Sequence, residues 1–277
     1  EIVIIDPNEK NTKGEIIDFD HCLPFVNSNV KIYKGDYSKC KNASMVVITA
    51  GARQKEGETR LDLLLRNAKI IKEIVLNVIK NDFKGIFLNA TNPLDIMTQL
   101  IFEYSNFPAN KVIGTGTNLD SARLKYYLNE HFNTEYDKIY AYVLGEHGDS
   151  SMIPWSKVTV NNLKVINSLT SKEKNDYEEK VRNAGYELLN SKGYSDLAIG
   201  ICLADITKVI INKEEKEVCV SNYDENEEIY YGYPAIINET GIKSRLKLEL
   251  TLDEQEKLNN SIDIIKKALK EVKEKDL

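Results

Sequence analysis

Apolar residues fall along this 277-residue chain in two rhythms. Residues 1–6 (EIVIID), 45–50 (MVVITA) and 84–91 (KGIFLNAT) are short β-branched or apolar runs, the last stopped by Asn92-Pro93. Each predicts a strand, and the first two read as buried ones. Over 59–80, Leu61, Leu64, Leu65, Ala68, Ile71, Val75 and Ile79 recur at helical spacing and predict one long amphipathic helix. A second helix is expected over 95–104, entered through Pro93. Strands alternating with helices imply parallel strands in a doubly wound α/β sheet.

From about residue 115 the rhythm changes. A helix is expected over 119–132, then a short strand over 139–144 running into the polar turn GEHGDSS. Residues 171–190 and 195–211 read as helices, 218–221 and 228–231 as short strands around an acidic turn, and 252–274 as a charged terminal helix. Irregular β-structure among long helices predicts a second, α+β domain, so the chain divides into 1–114 and 115–277.

Composition narrows the function classes. A net charge of -6 argues against nucleic acid as a partner, because phosphate binding needs a basic face. No apolar run approaches the roughly 18 residues of a membrane span. Cys22, Cys40, Cys202 and Cys219 form no CxxC pair, and with only His21, His131 and His147 present a metal site is not expected. Unpaired cysteines of this kind read as reduced thiols in a cytoplasmic protein.

Several residues could carry chemistry, and each has a plainer reading. Asp6 ends the first strand: it forms a turn before Pro7, or it accepts from ribose hydroxyls as an acid does there in a dinucleotide fold. Residues 48–63 (ITAGARQKEGETRLDL) hold Arg53, Lys55 and Arg60 around Gly57. They are a solvated loop before a helix capped by Thr59 and Asp62, or a lid over an anionic substrate. Asn92 caps a helix or faces a ligand at a strand end. Asp120 and Arg123, three apart, form a local ion pair or find other partners. His147 stands alone between Gly145 and Gly148, where small residues suit a close approach.

Taken together, ITAGARQKEGETRLDLLLRN, NPLD, IGTGTNLDSAR and VLGEHGDSS resemble the lactate/malate dehydrogenase family, in the family's order and over nearly the whole chain. GYSDLAIG, residues 193–200, matches that family's late substrate-site helix. The resemblance implies a Rossmann-type NAD-binding domain over 1–114 and a substrate domain over 115–277. It also implies hydride transfer between NAD and a small 2-hydroxy acid. His147 would be the acid/base, oriented by Asp120. Arg123 would grip the substrate carboxylate with a bidentate fork, and Arg60 would polarise the ketone. Asn92 would bond the substrate oxygen, and Ser195 stands where the family usually has Thr. Asp6, Tyr37, Gly51, Ala52, Ala90, Thr91, Asn92 and Thr115 match cofactor-lining positions. Asn11 stands where several bacterial members have Lys.

Gln54 occupies the position that selects substrate in the family. Malate-type members have an arginine there for the second carboxylate; a neutral Gln would leave that charge unpaired in a dry site, so pyruvate and L-lactate are expected. Lys125 and Tyr140 match positions where members activated by fructose 1,6-bisphosphate carry Arg and His, so weak activation or none is expected. No glycine-rich phosphate loop precedes Asp6 in this sequence, and an upstream strand-loop-helix unit of about 20 to 30 residues is expected, the span before the ribose acid. Malate or another 2-hydroxy acid is the substrate alternative. The alternative of another class is a non-catalytic chain of the same fold. The family is usually tetrameric, so a cytoplasmic homotetramer is expected.

Overall fold

The computed structural model describes residues 1–52, 57 and 59–275. The first half holds β1 (Ile2–Ile4), α1 (Glu9–Cys22), β2 (Ile32–Lys34), β3 (Met45–Ile48), α2 (Arg60–Lys80), β4 (Ile86–Asn89), α3 (Leu94–Ser105) and β5 (Val112–Gly114). The second holds α4 (Asn118–Phe132), β6 (Ile139–Tyr140), β7 (Thr159–Val160), β8 (Leu163–Lys164), α5 (Ser171–Lys192), α6 (Leu197–Ile211), β9 (Lys216–Asp224), β10 (Ile229–Asn238), β11 (Gly241–Arg245) and α7 (Leu252–Lys273).

The main sheet has six strands in the order β11-β10-β9-β5-β4-β3. Strands β3, β4 and β5 are parallel, as the βα alternation requires. The antiparallel β9-β10-β11 meander joins the same sheet where Gly114 of β5 pairs with Ser221 of β9. The second half therefore extends the sheet of the first.

Strand β4 explains the layering. Successive side chains of a strand point to opposite faces. Phe87 enters a core with Ala68, Ile71 and Val75 of α2, Met97 and Leu100 of α3, and Leu258, Ile262 and Ile265 of α7. Its neighbours Ile86 and Leu88 enter a second core with Cys202, Ile206 and Val209 of α6. A strand buried on both faces reads as an unbroken apolar run, which is why 84–91 is legible. Strands β6 and β7 pack with α4 and α5 around a third, smaller core containing Leu124, Trp155 and Val181.

The long helix α2 begins as expected: Thr59 Oγ1 accepts from the Asp62 backbone N–H while the Asp62 carboxylate accepts from Thr59, a complete capping box. The charged terminal helix α7 has a buried stripe of Leu258, Ser261, Ile262, Ile265, Leu269 and Val272.

Three expectations are corrected. EIVIID forms strand β1, but Ile2 is 51% exposed and Ile5 38%, because β1 pairs only with β2 among the described residues and the six-stranded sheet does not reach it. The expected strand over 139–144 is regular only at β6; beyond it the chain makes single bridges, Leu144 to Met152 and Gly145 to Gly232. The two short strands flanking the acidic turn are the long pair β9 and β10, whose residues 218–222 and 229–235 are buried. Helix α1 was not legible in the sequence: Thr12 is its single buried residue, so it shows almost no apolar stripe.

Candidate active site

Parallel strands β3, β4 and β5 end side by side, and their C-terminal loops are fixed by buried polar side chains. Asn89, fully buried at the end of β4, donates to the carbonyl oxygens of Thr91 and Leu94 and accepts from the Thr91 N–H. The Thr91 hydroxyl donates to the Ala50 carbonyl at 2.8 Å, tying this loop to the end of β3. Asn67 of α2, also buried, adds a second tie: it accepts from the Ala52 N–H at 2.8 Å and donates to the Asn92 carbonyl at 2.9 Å. These bonds leave the Asn92 side chain at the surface beside a bare strip of backbone.

Helix α4 supplies the acid. Ser121 accepts from the Val143 N–H at 3.0 Å, and the Thr117 hydroxyl donates to the Val143 carbonyl. The two bonds flank Asp120 and hold it under the loop that follows residue 144. His147 Nδ1 meets Asp120 Oδ2 at 2.5 Å, and Arg123 Nη1 donates to Asp120 Oδ1 at 2.8 Å. The side chain of Asp120 is 8% exposed, that of Arg123 18% and that of His147 27%. The Asp120/Arg123 pair is thus a local ion pair and also part of a histidine site. The guanidinium lies over Gly185 of α5, where a Cβ would sit 3.9 Å from both Nη atoms.

Electrostatics follow from this packing. Burial by itself favours neutral His147, but the charge and hydrogen bond of Asp120 outweigh it and raise the imidazole's proton affinity above the ordinary value. Burial pushes the Asp120 carboxyl up, while His147 and Arg123 pull it down further, so it ends below the usual carboxylate range. The pair is poised as carboxylate and imidazolium, with Nε2 the ring nitrogen left for a substrate.

The loop carrying His147 is anchored from two further elements. Its own N–H donates to Asp95 Oδ2 at 2.8 Å, and the adjacent Glu146 N–H donates to Ser261 Oγ of α7 at 2.8 Å. The close approach at Gly145, which has φ +91, is that of Ser261, whose Oγ would lie 2.4 Å from an added Cβ. Asp95, Asn67 and Ser261 were missed in the sequence. The only signal for Asp95 was its place in NPLD, three residues after Asn92.

Other expected residues fall around this cluster. Arg60, the first residue of α2, is 83% exposed and lies 3.8 Å from Asp149 in the His147 loop. Arg53, Gln54 and Lys55 lie outside the described residues. Ser195 is exposed, one residue before Asp196, the cap of α6, and among the described residues no hydrogen bond links it to His147. Asp6, exposed, follows β1 and accepts from the Asn8 N–H at 2.6 Å. Tyr37 is half-buried after β2 and packs on the main core. Thr91 and Thr115 are buried, so they shape the strand ends and present little side chain. Tyr140 and Tyr142 both donate to Glu217, Tyr140 at 2.8 Å, and Lys125 lies over the Tyr142 ring. Among the described residues no group of His, Cys, Asp and Glu is arranged to hold a metal, and no helix is long and apolar enough to cross a membrane.

Two family descriptions match the chain. Residues 1–114 match the lactate/malate dehydrogenase NAD binding domain, and residues 117–276 the lactate/malate dehydrogenase alpha/beta C-terminal domain. L-lactate dehydrogenase 1 of Bacillus cereus is 41% identical, over 97% of this chain and 89% of the relative. Among solved structures, a lactate dehydrogenase from a Medee basin deep-sea metagenome library superposes with TM-score 0.94 at 36% identity, covering 98% of this chain and 90% of that one. The minor L-lactate dehydrogenase of Enterococcus mundtii in its ligands-bound form superposes with TM-score 0.94 at 34% identity, covering 97% and 88%.

The strand ends suit a dinucleotide. Gly51 is exposed, and a Cβ there would fall 3.2 Å from Thr91 Cγ2, so the backbone of the β3 and β4 loops forms one low surface that a side chain would fill. Ala52 and Ala90 add little bulk beside it.

Proposed function

The chain belongs to the lactate/malate dehydrogenase family, and from that premise we propose that it is an NAD-dependent L-lactate dehydrogenase. The observation that carries this reading is the His147–Asp120–Arg123 cluster, held together at 2.5 and 2.8 Å beside the ends of the parallel strands. In it, residues 1–114 bind the cofactor and 115–277 bring the acid/base and the carboxylate grip.

Bound NAD would supply hydride transfer; Asp6 would accept from its ribose hydroxyls, and Tyr37, Gly51, Ala52, Ala90, Thr91, Asn92 and Thr115 would line the cofactor side. When a 2-oxo acid is reduced, His147 gives a proton to its carbonyl oxygen; in the reverse direction the imidazole takes it back from the hydroxyl. Asp120 keeps Nδ1 protonated and steadies the cation. Arg123 fixes the substrate carboxylate, which a planar guanidinium does with two parallel bonds. Arg60 stabilises negative charge growing on the oxygen, with Asn92 as a neutral donor and Ser195 as a further substrate-binding residue. Gln54, being neutral, would not pair a second substrate carboxylate.

The test is NADH oxidation with pyruvate against oxaloacetate. Pyruvate should be reduced far better, and Gln54→Arg should shift the preference toward oxaloacetate. Equal rates on both acids in the unaltered chain would overturn the pyruvate assignment.

We further read the chain as a cytoplasmic homotetramer that binds neither nucleic acid nor membrane. Leu197 and Ile201, 73% and 71% exposed on α6, offer apolar surface for another subunit to cover. Weak activation by fructose 1,6-bisphosphate or none is expected, because Tyr140 supplies no charge and donates to the Glu217 carboxylate, while Lys125 supplies only a point charge. A pyruvate saturation curve unmoved by the bisphosphate would agree with this.

A further inference from the structure

Asp95 is a titratable group that the mechanism above leaves unused. It is 2% exposed, at the start of α3, just behind the Asn92 loop. One carboxylate oxygen accepts from the His147 backbone N–H at 2.8 Å, and the other from the Ser221 hydroxyl of β9 at 2.6 Å. A single side chain thus joins the strand-end loop of the first half, the acid/base loop and the meander of the second half.

A buried carboxylate is costly, and two neutral donors compensate only part of that cost. If holding the loop were its whole role, an amide would serve: asparagine can accept from the same N–H and donate to the same hydroxyl. The charges that face Asp95 are His147 and, opposing it, Glu146 of the same loop. Those that face the imidazole are Asp120, Asp95 and Arg123. His147 therefore lies between two carboxylates, one bonded to its ring and one bonded to its backbone. Burial pushes the Asp95 carboxyl up to about 6, so it is ionised at neutral pH and carries its charge where the proton is transferred.

We propose that Asp95 is a positioning residue for His147 that acts twice: it fixes the loop through the backbone N–H, and its negative charge supports the imidazolium alongside Asp120. The inference rests on His147 being the acid/base of the proposed reaction, but its main readout does not need turnover.

The test is a proton NMR titration of the histidine C2–H signals in the full chain. With only His21, His131 and His147 present, single substitutions assign them. In Asp95→Asn the His147 midpoint should move to lower pH with His21 and His131 unmoved, and Asp120→Asn should move it in the same direction. Pyruvate reduction by Asp95→Asn should lose activity first at the alkaline end of its profile. Asp95→Leu, which also frees the loop, should lower kcat by about 100-fold, the scale of a misplaced reacting group. A His147 midpoint identical in Asp95→Asn and the unaltered chain would overturn the proposal, and so would full kcat in Asp95→Leu. Should Asp95→Leu fail to fold, the Asp95→Asn titration still decides. A chain that reduces no 2-oxo acid at all would defeat the functional reading, while the titration would still answer for Asp95.

Discussion

Asp120 holds His147 Nδ1 with one carboxylate oxygen at 2.5 Å and Arg123 with the other at 2.8 Å. One acid therefore orients both the imidazole and the guanidinium, the groups proposed to move the proton and to hold the substrate's charge.

The pH dependence follows from the raised proton affinity of His147. In the proposed reaction, reduction of pyruvate uses the imidazolium, so its rate should hold through the ordinary histidine range near 6.5 and fall as pH rises through the higher folded value. Lactate oxidation should rise over the same window. The same shift stabilises the fold fully below the ordinary histidine value, and that contribution is lost as pH rises through the folded one. Asp120 has the opposite sign: its contribution is present above the usual carboxylate range and lost as pH falls through its lowered value. Rate profiles in both directions and thermal melts against pH check these signs. Reduction that strengthens with rising pH would contradict them.

Arg123→Lys should act on substrate affinity. Lysine keeps the charge near Asp120 but cannot present two parallel donors to a carboxylate. Losing one charged hydrogen bond costs about 1.5–3 kcal/mol, so KM for pyruvate should rise roughly 10- to 100-fold. NADH binding, measured by fluorescence, should stay unchanged. A variant with normal KM would remove Arg123 from the carboxylate site.

Gly145→Ala should disturb the His147 loop without touching any reacting group. The position has φ +91, and an added Cβ would lie 2.4 Å from Ser261 Oγ, which accepts from the next residue's N–H. Backbone strain of this kind costs about 1–3 kcal/mol. Melting temperature and kcat should both fall. An active variant as stable as the parent would mean that α7 yields freely at Ser261.

Much was legible from sequence because it is local. Helical spacing marked the face of α2, and the Thr59–Asp62 capping box needs no partner outside its own turn. The run 84–91 marked a strand, and the alternation of strands with helices implied a parallel sheet. Read as residues alone, Asp120 and Arg123 were an ion pair and His147 a lone histidine; their grouping into one site was implied by the resemblance of their motifs to a known family. Position in space was another matter. Periodicity tells which side of an element seeks burial but not what will cover it. EIVIID carries the pattern of a buried strand, yet Ile2 remains half exposed because, among the described residues, no strand of the main sheet lies against it. Asp95 reads as an ordinary acid at a helix start until β9 and the His147 loop close over it from 126 and 52 residues away. Ser261 sits in a charged helix and reaches Glu146 across 115 residues. Hydrogen bonds between buried polar groups depend on distances that only the packed chain sets, so Asp95 and Ser261, which hold the His147 loop in place, emerged from the tertiary structure alone.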